Sequence, residues 1–377
     1  MPAYRRRTWW GVAVAALVAA ACKDTTSPRL SDPAGLTNDV QTLGSVFTTA
    51  LFQSYQAVSD SIGAMAPSLR FGGELLQATS PTTPAEVGRV YSASPQRAQA
   101  LKQLAIGLAG TGTSSVIPDT LWNSIFAWDP NTHHYYRQST TGGPDHGVRF
   151  LLYAIDPITH QIVESPLTVI GYVDLIDVSQ DPTVGLRVVL VDTPPGSAPD
   201  TLADYTITAT QYSAGSFSAT AVGFVSDGTH TLTFNVSFSV TNADTAYPDV
   251  SINVHWALNT PAVTVDLTES ITMPDADHEM LSFNLSVTRG AETVAATGTI
   301  TVTLSTQSVT VNITITVNGA VYARITGTDN GITIRHADGS QLSQQEFAAL
   351  EQLFSLPDTA LEVIQQLFHP AENFLGV

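Results

Sequence analysis

The chain has 377 residues, of which 43% are hydrophobic and only 13% are charged, and its formal net charge at pH 7 is −18. A negative field of this size repels phosphate backbones and anionic lipid surfaces, so the composition argues against a nucleic-acid-binding protein. A chain of this length can bury a sizeable core, as one large β domain or two ordinary ones.

Residues 1–21 have the organisation of a bacterial secretion signal. Arg5, Arg6 and Arg7 form a basic start, and an apolar stretch of thirteen residues follows from Trp9 to Ala21. This stretch is too short to span a bilayer comfortably as a permanent helix. We therefore predict that residues 1–21 are a signal peptide that is removed.

The only cysteine, Cys22, directly follows the small residues that end this stretch. The sequence from Leu17 to Cys22, LVAAAC, resembles the lipobox of bacterial lipoproteins, although Ala19 stands where that box most often has leucine. The resemblance implies that Cys22 is diacylated and holds the protein on a membrane of the cell envelope through its acyl chains. Lys23 resembles the pattern of lipoproteins sent to an outer membrane. The alternative is an ordinary secreted protein with an incidental cysteine.

The residues after the cysteine predict a tether and then a single domain. Residues 22–34 are rich in threonine, serine and proline, which is typical of a flexible linker, and residues 35–377 form one β-rich domain with helical ends. Apolar residues recur at three- and four-residue steps from Leu36 to Met65, which predicts a helical segment that ends at Pro67. A second helical pattern runs from about Pro95 to Leu108.

Between about Leu121 and His336 the hydrophobic period changes to two, as in the stretch from Val309 to Val317. Such alternation predicts strands with one face on a core and the other in water, which is the habit of antiparallel sheets. We expect about a dozen to fourteen strands, mostly joined as consecutive hairpins. The turn signals are Asp181-Pro182, Asp227-Gly228, Arg289-Gly290, Asn318-Gly319, Asn330-Gly331 and Asp338-Gly339.

One short pattern occurs twice, at Ala127–His133 and at Ala154–His160. Both copies contain Asp-Pro-x-Thr-His, which predicts a hairpin turn in which the histidine adopts the left-handed conformation that glycine often takes. At the end of the chain, Ser343 and Glu346 have the spacing of a capping box, and Pro357-Asp358 predicts the restart of a second helix.

The order of these elements predicts an α+β, mainly β fold: a large curved antiparallel meander sheet, half-barrel-like, with the N-terminal and C-terminal helices packed on its concave face. It loosely resembles the half-open barrels of bacterial lipoprotein carriers and lipid-binding lipoproteins. The resemblance lies in element order alone, so no binding residues follow from it. A β-sandwich with peripheral helices is the structural alternative.

The sequence contains no motif that predicts catalytic residues or a cofactor. The serine-hydrolase turn, the phosphate-binding loop and the dinucleotide fingerprint are missing. His278-Glu279 begins like the zinc-protease helix, but Ser282 stands where the second histidine is required. An acylated Cys22 also excludes cysteine catalysis.

Two groups of potential metal ligands have simpler explanations, and no metal site is predicted. Asp275, Asp277 and Glu279 alternate as in calcium loops, but the glycine and the final glutamate of an EF-hand are missing. The densest histidine group includes two residues that turns already explain; its members are His133, His134, His146 and His160. Nearby aromatic residues are expected to pack in the core: Trp122, Phe126, Trp128, Tyr135, Phe150 and Tyr153.

Three functions remain open. The first is an envelope-anchored lipoprotein with a non-catalytic binding or structural role. The second is a carrier of lipid or another hydrophobic ligand, which requires a cavity under the helices around Phe47, Leu51, Phe347 and Phe354. The third is an envelope hydrolase assembled from distant strands, which requires a cleft with two close carboxylates.

Overall fold

The computed structural model describes residues 28–65, 116–213, 215–242, 245, 248–306, 308–328 and 331–375. The predicted signal peptide, Cys22 and the helical pattern at residues 95–108 lie outside these ranges. The helices are α1 (Pro33–Ser45), α2 (Ala50–Met65) and α3 (Gln344–Leu375), with short 3-10 turns at Val46–Thr48 and Asp119–Leu121.

All strands of the described residues belong to one sheet. In chain order they are β1 (Ser124–Asp129), β2 (His134–Thr141), β3 (Gly147–Tyr153), β4 (Val169–Asp177), β5 (Thr183–Asp192), β6 (Asp200–Ser213), β7 (Ser216–Ser226), β8 (Thr231–Thr241), β9 (Asp249–Leu258), β10 (Val263–Thr272), β11 (His278–Arg289), β12 (Glu292–Thr303), β13 (Ser308–Val317), β14 (Ala320–Thr328) and β15 (Gly331–His336).

The sheet is an open, curved meander of fifteen strands. From β3 to β15 every strand pairs antiparallel with its neighbours in sequence, whereas β1 lies between β2 and β3 and runs parallel to β3. The predicted α+β fold with a large curved antiparallel sheet is confirmed, with one strand more than the upper estimate. Because the strands form one sheet, the sandwich alternative is wrong.

The meander gives the sheet two ends, here named after residues at each. The Arg289 rim is the end where the odd-numbered strands finish, and its connections include residues 227–230, 259–262, 290–291, 318–319 and 337–343. The Asp275 rim is the opposite end, and its connections include residues 178–182, 273–277 and 304–306.

Strict alternation of side chains gives the sheet an apolar concave face and a polar convex face. In β13, Val309, Val311, Ile313 and Ile315 are buried, while the threonines and asparagine between them face outward. The helices pack against the concave side and close one continuous core. The sequence period of two therefore translates directly into the two faces.

Glycine at an inward position helps the sheet to bend. Gly223 of β7 lies opposite Tyr205 on β6 and Phe234 on β8, and its φ is +156°. A Cβ atom at this position would overlap the carbonyl oxygen of Asp204. The rings of Tyr205 and Phe234 lie on the strands beside it with centroids 5.8 Å apart, and aromatic residues next to a glycine stabilise curved sheets.

The N-terminal helical pattern is divided in two. After α1 the chain makes a 3-10 turn, and Thr49 is extended, with ψ at 150°. The hydroxyl of Thr49 accepts a hydrogen bond from the backbone N–H of Phe52 at 3.2 Å and so caps the start of α2. Threonine and serine at residues 45, 48 and 49 compete with the helical backbone, which explains the break.

The C-terminal helix shows the predicted capping box but not the predicted restart. The Ser343 N–H donates to the Glu346 carboxylate at 2.8 Å, and the Glu346 N–H donates to the Ser343 hydroxyl at 3.3 Å. The backbone then stays helical through Pro357 to Leu375, so the prediction of two helices is wrong. A proline removes one backbone hydrogen bond, and burial of Val363 and Leu367 beyond it favours continuation.

Both predicted histidine turns are confirmed. His133 and His160 each have φ of 55°, in the left-handed region. The N–H of His133 donates to the carbonyl of Asp129, and that of His160 to the carbonyl of Asp156. The aspartate side chain also accepts hydrogen bonds from the turn backbone in each copy, which stabilises the turn.

Candidate functional site

The predicted lipidation site, Cys22, lies outside the described residues, but the segment from Leu30 onward is attached to the sheet. Leu30 is buried, and the N–H of Ser31 donates to the Glu292 carboxylate at 2.7 Å. Helix α1 begins at Pro33, with Asp32 as its N-cap. The last residues of the predicted 22–34 tether are thus part of the fold. None of the described helices combines the length and apolar composition needed to cross a membrane.

Arg289 fixes this segment to the end of β11. Its Nε donates to the Asp39 carboxylate at 2.7 Å, and its Nη1 donates to the Asp32 carbonyl at 3.1 Å. The two aspartates belong to the start of α1, about 250 residues away in sequence. The predicted Arg289-Gly290 turn is therefore also the attachment point of the N-terminal helix.

The region under the helices, where the carrier alternative requires a cavity, is filled by side chains. Phe47, Leu51 and Phe354 are buried, and Phe47 and Phe52 form an edge-to-face pair with ring centroids 5.5 Å apart. The Tyr205 hydroxyl donates to that of Tyr55 at 3.3 Å, which links the sheet to α2. These contacts make the helices part of the core.

Two small concavities lie at the borders of this region. One, of about 280 Å³, lies beside the edge strand β15 and is lined by Ile334, Leu342 and Phe347, among others. The other, of about 250 Å³, lies near Phe47, Gln53 and His160. Both are smaller than the roughly 300–1,000 Å³ typical of sites that enclose a small-molecule ligand.

The acidic loop at residues 275–279 does not converge on a common point. Asp275 accepts from the N–H groups of Asp277 and His278, and Asp277 accepts from Ser305 in the neighbouring turn. These backbone bonds lower the pKa of the Asp275 carboxyl. Glu279 faces the core instead. The carboxylates of Asp275 and Asp277 thus bond to backbone and side-chain donors of this loop and of the neighbouring turn.

The four candidate histidines also lie apart. His133 Nδ1 contacts Glu164 Oε1 at 2.7 Å, and Trp128 Nε1 donates to the same oxygen. His146 packs edge-on against Trp122, with ring centroids 4.3 Å apart. His134 and His160 are exposed. Within the described ranges, no three His, Cys, Asp or Glu side chains come close enough to hold a metal ion.

The predicted aromatic group is a core cluster. Phe126 stacks on Phe150 at 4.7 Å, and Tyr135 contacts Trp128, Phe150 and Tyr153. Tyr135, Phe150 and Tyr153 are buried. Trp122 is held separately, because its Nε1 donates to the carbonyl of Ile117.

The concave face contains three buried glutamates, of which sequence analysis considered only Glu279, as a possible metal ligand. Glu269 on β10, Glu279 on β11 and Glu292 on β12 each occupy a buried, inward position; Glu269 lies between Leu267 and Ile271, whereas the other two lie at strand ends. The sequence does indicate their burial, because a glutamate at one of the alternate positions that otherwise carry apolar residues must face the core. Burial raises the pKa of Glu279 to about 7.

These glutamates are not a carboxylate pair. Glu269 lies opposite Phe283, four residues from Glu279 along β11, which places the two glutamates roughly 14 Å apart. Glu292 lies opposite Arg289, at the other end of the same strand. Carboxyl groups that cooperate in glycoside hydrolysis are about 5–9.5 Å apart.

The convex face shows a second feature that only the strand register reveals. One cross-strand row contains a hydroxyl or amide side chain on each of the eleven strands from β5 to β15. Its members are Thr183, Thr210, Ser218, Ser239, Ser251, Ser270, Ser282, Thr299, Asn312, Thr326 and Thr333.

The neighbouring row on the same face also consists of hydroxyl and amide side chains, except that its last two members are arginines. It consists of Thr208, Thr220, Ser237, Asn253, Thr268, Asn284, Thr297, Thr314, Arg324 and Arg335. Neighbouring members lie about 4.8 Å apart across strands, and the rows are about 6.8 Å apart. The result is a regular, nearly uncharged polar surface.

Arginines on this convex face have different surroundings at its two ends. Arg149 makes two hydrogen bonds to Asp174, and Arg187 makes two to Asp204. Arg324 instead lies directly opposite Arg335, and both side chains are exposed. Like charges in opposite register are mutually unfavourable.

The chain was also compared with known proteins. It shows no significant match to a protein-family model, to a curated protein or to a solved structure.

Proposed function

We propose that this protein is a lipoprotein of the bacterial cell envelope, anchored by acyl chains on Cys22 and with a non-catalytic binding or structural role. The outer membrane is the location that Lys23 favours. The lipobox-like sequence supports the anchor, and the short, firmly attached segment from Leu30 to Pro33 would hold the domain close to it.

The observation that carries the proposed role is the contrast between the two faces of the sheet. The concave side is occupied by the protein's own helices, while the convex side presents rows of hydroxyl and amide groups across eleven strands. Such a surface offers many hydrogen bonds without charge. It suits contact with another polar envelope component over a wide area.

The two alternatives have less support. A carrier would need space where Phe47, Leu51 and Phe354 are packed, and the neighbouring concavities are small. A hydrolase would need two close carboxylates, whereas Glu269, Glu279 and Glu292 are distributed along the strands.

The test is the intact mass of the protein extracted with detergent from a bacterial envelope. We expect a chain that lacks residues 1–21 and carries acyl groups on Cys22, with no stoichiometric apolar ligand. A Cys22→Ser variant is the control and should lose the acyl mass. An unmodified chain that needs no detergent would contradict the anchor, and a bound lipid in equimolar amount would favour the carrier.

A further inference from the structure

The sheet ends at β15, whose outer edge pairs with no other strand in the part of the chain that the structure describes. The N–H of His336 donates to the Ser340 carbonyl on this outer side, whereas the next N–H, that of Ala337, donates to β14. Because backbone groups alternate in direction along a strand, the N–H and C=O groups of Ile332 and Ile334 face outward from the sheet edge. Such a row of groups is a template for an added strand.

The concavity of about 280 Å³ described above lies along this edge, and we call it the β15 groove. One wall is β15 itself, and the other contains Gln341, Leu342 and Phe347 at the start of α3. Ile334, Leu342 and Phe347 are only half-buried, so each has apolar surface left to cover. An extended segment would lie along such a groove and need not be enclosed by it.

The wall formed by α3 is held in place. Ser343 and Glu346 bond reciprocally in the capping box, and His336 Nε2 lies 3.5 Å from Glu346 Oε2. The His336 ring also packs edge-on against Tyr322, with centroids 4.9 Å apart. The β15 groove is therefore formed before any partner binds, which lowers the cost of binding.

The convex side of the same edge carries unpaired positive charge. Arg335 on β15 lies directly opposite Arg324 on β14. Arg324 donates to the Thr314 hydroxyl and Arg335 to the Gly339 carbonyl, and neither forms an ion pair with a carboxylate among the described residues. Each guanidinium therefore keeps donors for an acidic group.

Other outward arginines of this sheet show the arrangement that β15 lacks. Arg149 lies opposite Asp174 on the next strand and makes two hydrogen bonds to it, and Arg187 makes two to Asp204, also on the next strand. In both pairs the carboxylate comes from a neighbouring strand. An acidic residue on a strand added beside β15 would lie about 5 Å from Arg335 and complete the same arrangement.

We propose that the β15 groove binds an extended segment of a partner protein in which acidic and apolar side chains alternate. The segment adds one strand to the sheet through the backbone groups of Ile332 and Ile334. Its apolar side chains cover Leu342 and Phe347, and its acidic side chains face Arg335 on the convex side. This site is separate from the convex hydroxyl rows and does not depend on the proposed lipid anchor.

A second copy of this chain fits the groove less well. The edge strand at the other end of the sheet, β2, contains Arg137 and no acidic residue, and β15 contains Arg335 and no acidic residue. Pairing β15 with either edge of another copy would therefore add an arginine and no carboxylate. Charge complementarity favours a different, acidic segment.

The experiment measures binding of a fluorescein-labelled peptide, Ser-Val-Glu-Val-Glu-Val-Ser, to the full chain in detergent by fluorescence anisotropy. A control peptide has lysine in place of both glutamates. Two further versions have N-methyl groups, one on the valines and the other on the glutamates. Only one side of a strand pairs with β15, so only one of these versions should lose its hydrogen bonds. Hydrogen exchange of residues 331–336 reports where the peptide binds.

We expect the glutamate peptide to bind and to slow exchange at residues 331–336. The lysine peptide and one N-methylated version should bind at least about tenfold more weakly. The double variant Arg324→Gln and Arg335→Gln should weaken binding of the glutamate peptide by up to about fivefold per arginine. The matched control is Arg137→Gln, at an exposed position of the opposite edge strand, which should leave binding unchanged. Thermal unfolding checks that each variant keeps the fold.

Several results would overturn the proposal: no binding of the glutamate peptide at millimolar concentration, equal binding of the lysine peptide, or equal effects of the Arg137 variant and the double variant. Binding of both N-methylated versions as tightly as the parent peptide would exclude strand addition. A dimeric native mass with residues 331–336 already protected would show that a second copy occupies the edge. Cys22→Ser should leave peptide binding unchanged, so this test is independent of the anchor.

Discussion

Glu279 offers the sharpest test of the energetics, because it is a carboxyl group buried in an inward position of β11 and only 1% exposed. Burial raises its pKa to about 7, compared with an ordinary value of 4.5. Each unit of pKa difference between folded and unfolded states corresponds to about 1.4 kcal/mol, so full ionisation opposes folding by roughly 3 kcal/mol.

The sign follows from the protons bound in each state. Between pH 4.5 and 7 the folded protein holds the Glu279 proton and the unfolded chain does not, so this group makes stability fall as pH rises through that window. Glutamine cannot ionise. Glu279→Gln should therefore have a small effect at pH 4.5 and raise the free energy of unfolding by roughly 3 kcal/mol at pH 8.

The assay is urea unfolding of both proteins at several pH values from 4.5 to 8. Comparing the two proteins at each pH removes the contribution of other titrating groups. Glu351→Gln makes the same chemical change at a partly exposed position of α3 and should alter stability little at any pH. Parallel pH profiles for wild type and Glu279→Gln, or a less stable variant at pH 8, would refute the reasoning.

Three further predictions concern the fold and are checked by unfolding midpoints. Arg289→Gln removes the ion pair with Asp39 and should lower the free energy of unfolding by about 2 kcal/mol. Arg187→Gln, at an exposed ion pair, should lower it by under about 1 kcal/mol. Equal losses would show that Arg289 does not hold α1 on the sheet. Leu353→Ala should cost about 2–5 kcal/mol because Leu353 is fully buried on the inner side of α3, and a loss below 1 kcal/mol would show that α3 packs loosely. Gly223→Ala should destabilise through overlap with Asp204, while Gly44→Ala, in open space on α1, should stabilise by up to about 1 kcal/mol; the opposite order would refute the account of sheet curvature.

Local patterns predicted the elements well because each depends on neighbouring residues. Alternation gave the inward phase of β13, the Asp-Pro-x-Thr-His pattern gave the turns at His133 and His160, and Ser343 with Glu346 gave the start of α3. In each case the stabilising contact lies within a few residues. The C-terminal helix continues through Pro357, where the proline alone predicts a break, because the burial of residues beyond it outweighs one lost hydrogen bond.

Features that depend on distant residues were not predictable from these patterns. The insertion of β1 between β2 and β3, the Arg289–Asp39 ion pair and the filled space around Phe47 require the three-dimensional register. The same holds for the convex hydroxyl rows, because each strand contributes one or two members and the row exists only after pairing. The buried glutamates are an intermediate case. The alternation of each strand predicts which face they occupy, but the distances between them depend on the strand register.

The meander order has a consequence for how the protein is made. Each hairpin from β3 onward can form as soon as its own two strands are available, so most of the sheet can assemble from short-range contacts. The apolar face of that sheet is covered by helices from both sides of it in sequence, and α1 contacts α3, which is synthesised after all the strands of the sheet. Until α3 arrives, a growing or truncated chain presents a wide, uncovered apolar sheet, a state prone to aggregation. Addition of α3, rather than formation of the strands, is therefore the step that completes the cover of the apolar face.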